Sequence, residues 1–303
     1  MNAGTSLPVV SGSAGEQSPR RRLPPWLKRP LPGDAMLATR KLIDGLKLNT
    51  VCVEARCPNL TECWERKTAT FMILGDRCTR RCHFCAVSTA RPDAPERDEP
   101  QRLAEAAEHL GLRHVVITSV ARDDLPDEGA AHFAQCVGAV RERLPQSTVE
   151  VLVPDFHARA DCIRIVADAR PEVFNHNIET VASLQKKVRP QGRYQRSLDT
   201  LRIARELKLR TKSGIMVGLG ETRDELIRTF RDLLKHGVEM LTIGQYLKPG
   251  DVHVPVEKFY PPSEFEELGA AARELGFSAV ASGPFVRSSY FAETLFAQTD
   301  YLR

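Results

Sequence analysis

The sequence lacks the apolar run of ~20 residues that a membrane-spanning helix requires. Its first twelve residues also lack the basic-then-apolar order of a secretory signal. With no export signal, its eight cysteines point to metal or redox use rather than to a disulfide framework. A spread of positive charge is missing too. The net charge is +4, and residues 1–40 hold the whole excess: Arg20, Arg21, Arg22, Lys28, Arg29 and Arg40 stand against Glu16 and Asp34. The remaining body is left with 37 charges of each sign from totals of 43 basic and 39 acidic residues. That balance speaks against a folded nucleic-acid-binding face. The Arg20–Arg22 run lies in a Gly-, Ser- and Pro-rich segment, residues 1–32, which reads as a disordered or extended tail. The first nineteen residues contain no Lys or Arg, unlike an organelle presequence. A bacterial cytoplasmic location is therefore expected over an organelle matrix.

Six of the eight cysteines fall between Val51 and Val87, in two triplets. Cys52, Cys57 and Cys63 are spaced C-x4-C-x5-C; Cys78, Cys82 and Cys85 are spaced C-x3-C-x2-C. Three thiolates are an odd number for disulfides and one short of a closed tetrahedral zinc site. Each triplet suits a four-iron cluster whose last iron takes its ligand from elsewhere. For the first triplet, a structural zinc or cluster clasp stays open on the residues alone. His83, caught between two cysteines of the second triplet, is a poor candidate for a fourth ligand. Cys136 and Cys162 fall within helical patterns and read as ordinary buried residues.

From Thr68 onward, β-branched runs alternate with amphipathic segments. Strands are expected at 69–74, 114–120, 149–154, 173–178, 212–218 and 240–246. Helices are expected near 100–110, 129–143, 157–169, 180–187, 197–208 and 222–235, the last opened by a Thr222/Glu225 capping box. Strict βα alternation implies a parallel sheet with right-handed crossovers. Six units rather than eight give an α/β fold of partial TIM-barrel type with one open side. A further helix at 263–275 and a short strand-like Ser278-Ala279-Val280 follow. The expected divisions are a tail to residue 32, an N-terminal cysteine segment at 33–67, the barrel at 68–260 and a C-terminal extension at 261–303. Polar residues cluster where strands end, the working end of such barrels: Ser119, Asn175, Glu179, Gly218, Gly220 and Glu221.

The second triplet, directly after the first barrel strand and with Phe84 before its last cysteine, resembles the cluster loop of the radical S-adenosylmethionine superfamily. The resemblance extends further. The segments EARCPN (54–59), FMILGDRCTRRCHFCAV (71–87), TSVARDDL (118–125), NHNIET (175–180), TKSGIMVGLGE (211–221), GQYLKP (244–249) and RSSYFA (287–292) are similar to those of the lipoyl synthase family. The departures are small: Asp127-Glu128-Gly129 for Asp-Gly-Gly, Gly250 for a serine, and Phe259 for a tyrosine.

The resemblance implies two [4Fe–4S] clusters and S-adenosylmethionine as co-substrate. The radical cluster would be held by Cys78, Cys82 and Cys85, and the auxiliary cluster by Cys52, Cys57, Cys63 and Ser289. Ser288 is the alternative fourth ligand, and a bland reading has either serine capping a helix near Tyr290. Arg287 would steer Ser289 or offset cluster charge. Ser119, Asn175, Glu179, Lys212, Gly218, Gly220 and Glu221 are expected to contact S-adenosylmethionine, the glycines by letting the backbone approach the nucleoside. The implied reaction places two sulfur atoms at C6 and C8 of an octanoyl chain, with the auxiliary cluster consumed as donor. Implied partners are an octanoylated lipoyl carrier domain or its glycine-cleavage H-type counterpart, a low-potential donor such as ferredoxin or flavodoxin, and an iron–sulfur carrier. Neither nucleic acid nor membrane is among them. The alternatives are another radical sulfur-inserting enzyme, of biotin synthase or methylthiotransferase type, or a non-catalytic iron–sulfur protein.

Overall fold

The fold is taken from a computed structural model that describes residues 23–28 and 33–300. The Arg20–Arg22 run and most of the expected tail lie outside those residues. The described part of that tail is not extended throughout, because Pro25–Leu27 forms a single 3-10 turn that buries Leu27.

Eight strands form the main sheet, and their spatial order follows the chain. They are β1 (Asn49–Thr50), β2 (Thr70–Ile73), β3 (His114–Ser119), β4 (Thr148–Leu152), β5 (Val173–Asn175), β6 (Thr211–Val217), β7 (Met240–Gln245) and β8 (Ala279–Gly283). β1 runs antiparallel to β2, and every other neighbour is parallel. Among the described residues β1 and β8 do not pair with each other, so the barrel stays open on one side.

One strand departs from expectation. Ala279–Gly283 pairs in parallel with Met240–Gly244, so the barrel sheet runs past residue 260 and has seven parallel strands, not six. Its Ala-Val-Ala-Ser-Gly sequence carries little β signal of its own; α10 (Pro262–Leu275) delivers it to the edge of β7. The capping box is present as expected: Thr222 Oγ1 accepts from Glu225 N, and Glu225 Oε2 accepts from Thr222 N at 2.8 Å. Cys136 in α5 (Ala130–Arg143) and Cys162 in α6 (Ala160–Asp168) are fully buried between helices and sheet.

Four buried side chains from β3 to β6 form a polar layer below the cavity. Glu150 of β4 accepts from Lys212 Nζ of β6 at 2.9 Å to each oxygen, and from Asn175 Nδ2 of β5 at 2.8 Å. His114 Nε2 of β3 lies 3.5 Å away. All four side chains are buried. Burial works to raise the Glu150 carboxyl, but Lys212 and His114 hold it below its ordinary value. Beneath this layer α11 (Ala292–Asp300) closes the barrel: Phe296 stacks on His114 with centroids 5.6 Å apart, and Leu295 packs on Val173, Met240 and Ala279. The cavity must therefore lie at the opposite end, where the strands finish.

A buried pair of this kind is costly to break and cheap to replace whole. Lys212→Met should destabilise the apoprotein by about 3–5 kcal/mol, and adding Glu150→Met should recover most of the loss. Urea unfolding of the three proteins measures this. A single variant as stable as the parent would show that the layer does not hold the barrel.

Candidate active site

The second triplet sits on a loop that leaves β2 and returns through a two-residue parallel bridge, Arg77–Cys78 with Ser88–Thr89. The strand ends clamp it. Thr79 Oγ1 donates to Ala121 O at 3.0 Å. Arg80 is buried; it donates to Asp123 at 2.6 Å and to the fully buried Asp155 at 2.7 Å. Those carboxylates raise the Arg80 guanidinium further against the opposing effect of burial. His83 is tied to the neighbouring loop, its Nδ1 2.8 Å from Lys187 O and its backbone N–H donating to Val188 O. His253 Nε2 lies 3.0 Å from Cys85 O and pins the other side of the loop.

The sulfurs themselves suit a metal centre. Cys78 Sγ accepts backbone N–H groups from Arg80 at 3.4 Å and Ala121 at 3.3 Å. Burial, and the neighbouring cysteines, push Cys85 up to about 12 and raise Cys82. Two thiols raised by their surroundings, with a third on the same loop, are a donor set that an iron cluster takes up as thiolates on binding.

The first triplet is built differently. Cys52 lies in α2 (Val51–Glu54), whose cap Thr50 accepts from Val53 N. Cys57 N donates to Cys52 O at 3.0 Å, and Cys63 lies in α3 (Leu60–Glu65) with its N–H on Asn59 O. Burial, then the charge of Cys57, pushes Cys52 up to about 11.

The C-terminal segment crosses more than two hundred residues of sequence to meet it. Asn59 Nδ2 donates to Phe285 O at 2.7 Å, and Tyr290 Oη donates to Glu62 at 3.0 Å. Two strand glycines admit the segment. A Cβ on Gly244 of β7 would stand 2.1 Å from Val286 O, and one on Gly214 of β6 would stand 2.7 Å from Ser288 Oγ. Ser288 is committed, donating to Asn177 Oδ1 at 2.7 Å. The Ser289 hydroxyl makes no hydrogen bond among the described residues, and it lines the cavity beside the first triplet.

One cavity of about 410 Å³ is lined by all six cysteines together with Ser289 and Arg287. Ser119 and Glu179 also line it. The Ser119 hydroxyl is buried without a partner among the described residues. Glu179 is raised by burial and pulled back by Arg189, by the amide of Asn177 and by Arg287. Met72, Val120, Leu152, Ile215 and Met216 give the cavity an apolar wall.

Five expected contacts lie elsewhere. Asn175 and Lys212 belong to the buried layer with Glu150, one turn of the pleat below the cavity. Gly218, Gly220 and Glu221 form the turn after β6, outside the cavity lining. Gly218 (φ 101°) makes room for Gln245 and the Lys258 carbonyl, since a Cβ there would meet Gln245 Nε2 at 2.3 Å. The Glu221 carboxylate is spent on Gly218 N and Leu219 N at 2.6 and 2.9 Å. Arg189 was not singled out from the sequence. It is buried, lines the cavity, donates to Ser197 Oγ at 3.2 Å, and opposes the burial that raises Cys82 and Glu179.

Residues 72–233 match the family model described as the Radical SAM superfamily. A lipoyl synthase of Rubrobacter xylanophilus is 54% identical over 276 residues, covering 90% of this chain and 86% of that protein. One from Alcanivorax borkumensis is 52% identical over 292 residues, covering 95% and 89%. The chain belongs to the lipoyl synthase family. As a lipoyl synthase it is a radical S-adenosylmethionine enzyme and a sulfurtransferase, and S-adenosylmethionine and two [4Fe–4S] clusters are that family's cofactors. The fold agrees. Methylornithine synthase (PylB) superposes with a TM-score of 0.50 at 17% identity, over 62% of this chain and 55% of that one. The hydrogenase maturase HydG gives 0.54 at 14% identity, over 69% and 52%. Among the described residues no helix is long and apolar enough to cross a membrane.

The glycine contacts carry a test. Gly244→Ala should force Val286–Ser289 out of the barrel mouth. Lipoyl product should fall at least about tenfold, a loss of ~1.4 kcal/mol of transition-state stabilisation, while 5′-deoxyadenosine still forms. Product and nucleoside are both quantified by mass spectrometry, and unchanged product would show that the close approach is dispensable.

Proposed function

We propose that this chain inserts two sulfur atoms, at C6 and C8, into an octanoyl group borne on a lysine of a lipoyl carrier protein, with the cluster of the first triplet as sulfur donor. The observation that carries this reading is that both cysteine triplets and Ser289 line a single cavity. Cys78, Cys82 and Cys85 would hold the radical cluster, and Cys52, Cys57, Cys63 and Ser289 the auxiliary one. Bound S-adenosylmethionine and the two clusters would supply a hydrogen-abstracting 5′-deoxyadenosyl radical and the sulfide. Polar chemistry has no purchase on an alkyl C–H, whose acidity lies tens of units beyond side-chain bases of pKa ~4–10.

The chain's own residues hold and divide the reactants. Ser119, Glu179 and Arg189 offer a hydroxyl, a carboxyl and a guanidinium for the polar end of S-adenosylmethionine. The apolar wall binds the acyl tail, contributing up to ~0.8 kcal/mol per buried methylene. Arg80, anchored on Asp155 and Asp123, keeps the radical-cluster loop in register with the strand ends. Ser289 adds an oxygen to three sulfurs, and oxygen is a weak partner for iron beside thiolate. Such a ligand suits a cluster that must be dismantled. Arg287, whose guanidinium donates to Val286 O at 2.7 Å, would steer that serine or offset cluster charge.

The carrier would be a lipoyl domain or a glycine-cleavage H-type protein, and the electron donor a ferredoxin or flavodoxin. An iron–sulfur carrier would restore the spent site. The bacterial relatives support a bacterial cytoplasmic setting.

The two triplets should separate under mutation. After anaerobic reconstitution with dithionite as reductant, Cys78→Ala should form no 5′-deoxyadenosine. Cys63→Ala should still cleave S-adenosylmethionine but yield no lipoyl product. Lipoyl product from Cys63→Ala would remove the first triplet as sulfur source.

A further inference from the structure

Cys63 and Ser289 face two cavities. The second, of about 260 Å³, lies behind the wall formed by Cys63, Thr68, Ser289 and Tyr290, all of which line the main cavity as well. Its far side is made by the loop after α4 (Glu99–His109), the first residues of β3 and the start of α11. Cys52 and Cys57 line only the main cavity. The auxiliary ligands therefore differ in how they are reached: two from inside the barrel alone, and two from both sides.

The wall is thin but fixed. Tyr290 Oη is held by both Glu62 oxygens at 3.0 and 3.1 Å, and Thr68 N donates to Cys63 O at 2.8 Å. The rim carries charges of both signs, with Arg113 paired to Glu293 at 2.6 Å and Arg66 to Glu62 at 3.4 Å. Arg113 and Arg66 are themselves exposed, so these pairs are weak and free to exchange partners for passing ions. At a share of ~30 Å³ per water, the space holds about nine waters, room for one hydrated ion but for no folded partner. The main cavity is at the lower end of the size that houses one drug-sized ligand. A nucleoside cofactor and an eight-carbon chain together leave little free path through it.

Building on the function proposed above, we infer that the second cavity is a rear passage to the auxiliary site. Through it, small inorganic iron and sulfide species leave Cys63 and Ser289 while the main cavity is occupied. No bond is made or broken by the passage itself.

The test uses the reconstituted enzyme after one turnover, with the product peptide left bound and fresh S-adenosylmethionine added, pulsed with iodoacetamide and mapped by mass spectrometry. The bound peptide should slow alkylation of Cys57 by about tenfold and leave Cys63 within about twofold of its peptide-free rate, since thiol reactivity follows access. Thr294→Trp, at the exposed rim of the second cavity, should then slow Cys63 about tenfold without lowering the product of the first turnover. Protection of Cys63 as strong as that of Cys57 would overturn the inference, as would a Thr294→Trp protein whose Cys63 reacts at the parent rate. The underlying function is judged separately: a recovered peptide without two added sulfurs counts against that reading, whatever the labelling pattern.

Discussion

The arrangement depends on how closely the C-terminal segment approaches two strands inside the barrel. With side chains at positions 214 and 244, Val286 to Ser289 could not enter, because each Cβ would lie within 3 Å of that segment. Glycine at both positions costs strand propensity, and the structure uses the space it opens. Ser288 reaches Asn177, Tyr290 reaches Glu62, and Asn59 reaches the Phe285 carbonyl. Barrel, cysteine segment and C-terminus are thereby joined at one wall. The fourth candidate ligand of the first triplet comes from the far end of the chain.

The floor of the cavity depends on a second constraint. A parallel barrel usually fills its interior with branched aliphatic side chains, yet here Glu150, Lys212, Asn175 and His114 fill one layer. An ion pair this buried is tolerable only when each partner is satisfied, and Glu150 accepts from Lys212 at 2.9 Å and from Asn175 at 2.8 Å. The layer separates α11, which closes the strand starts, from the cavity at the strand ends. Because α11 continues directly from Arg287–Tyr290, its docking on His114 and Val173 also fixes where Ser289 lies. Floor and ligand are positioned by one short stretch of chain.

Much of this was legible in the sequence. Six strands, their connecting helices and both triplets follow from periodicity and cysteine spacing, which are local signals. β8 was weak because Ala-Val-Ala-Ser-Gly has little preference of its own. That Asn175 and Lys212 join the buried layer with Glu150 is not legible, because β alternation does not say how far along a strand the cavity floor lies. What Gly218, Gly220 and Glu221 pack against is not legible either, because a glycine-rich turn after a strand looks alike whether it receives a ligand or a neighbouring loop. Arg189 sits in a loop with no pattern to mark it. Ser289 was reachable only through resemblance, since nothing local distinguishes a serine ligand from a helix cap.

The most direct measurement of whether the two triplets divide their labour within one cavity is isotopic. The enzyme is reconstituted with heavy-isotope sulfide, freed of excess, and given the octanoylated peptide for a single turnover in unlabelled buffer. The account predicts a lipoyl product in which both sulfurs are heavy, with sulfide lost from the chain. A product carrying unlabelled sulfur, or a chain that keeps all its labelled sulfide, would contradict it.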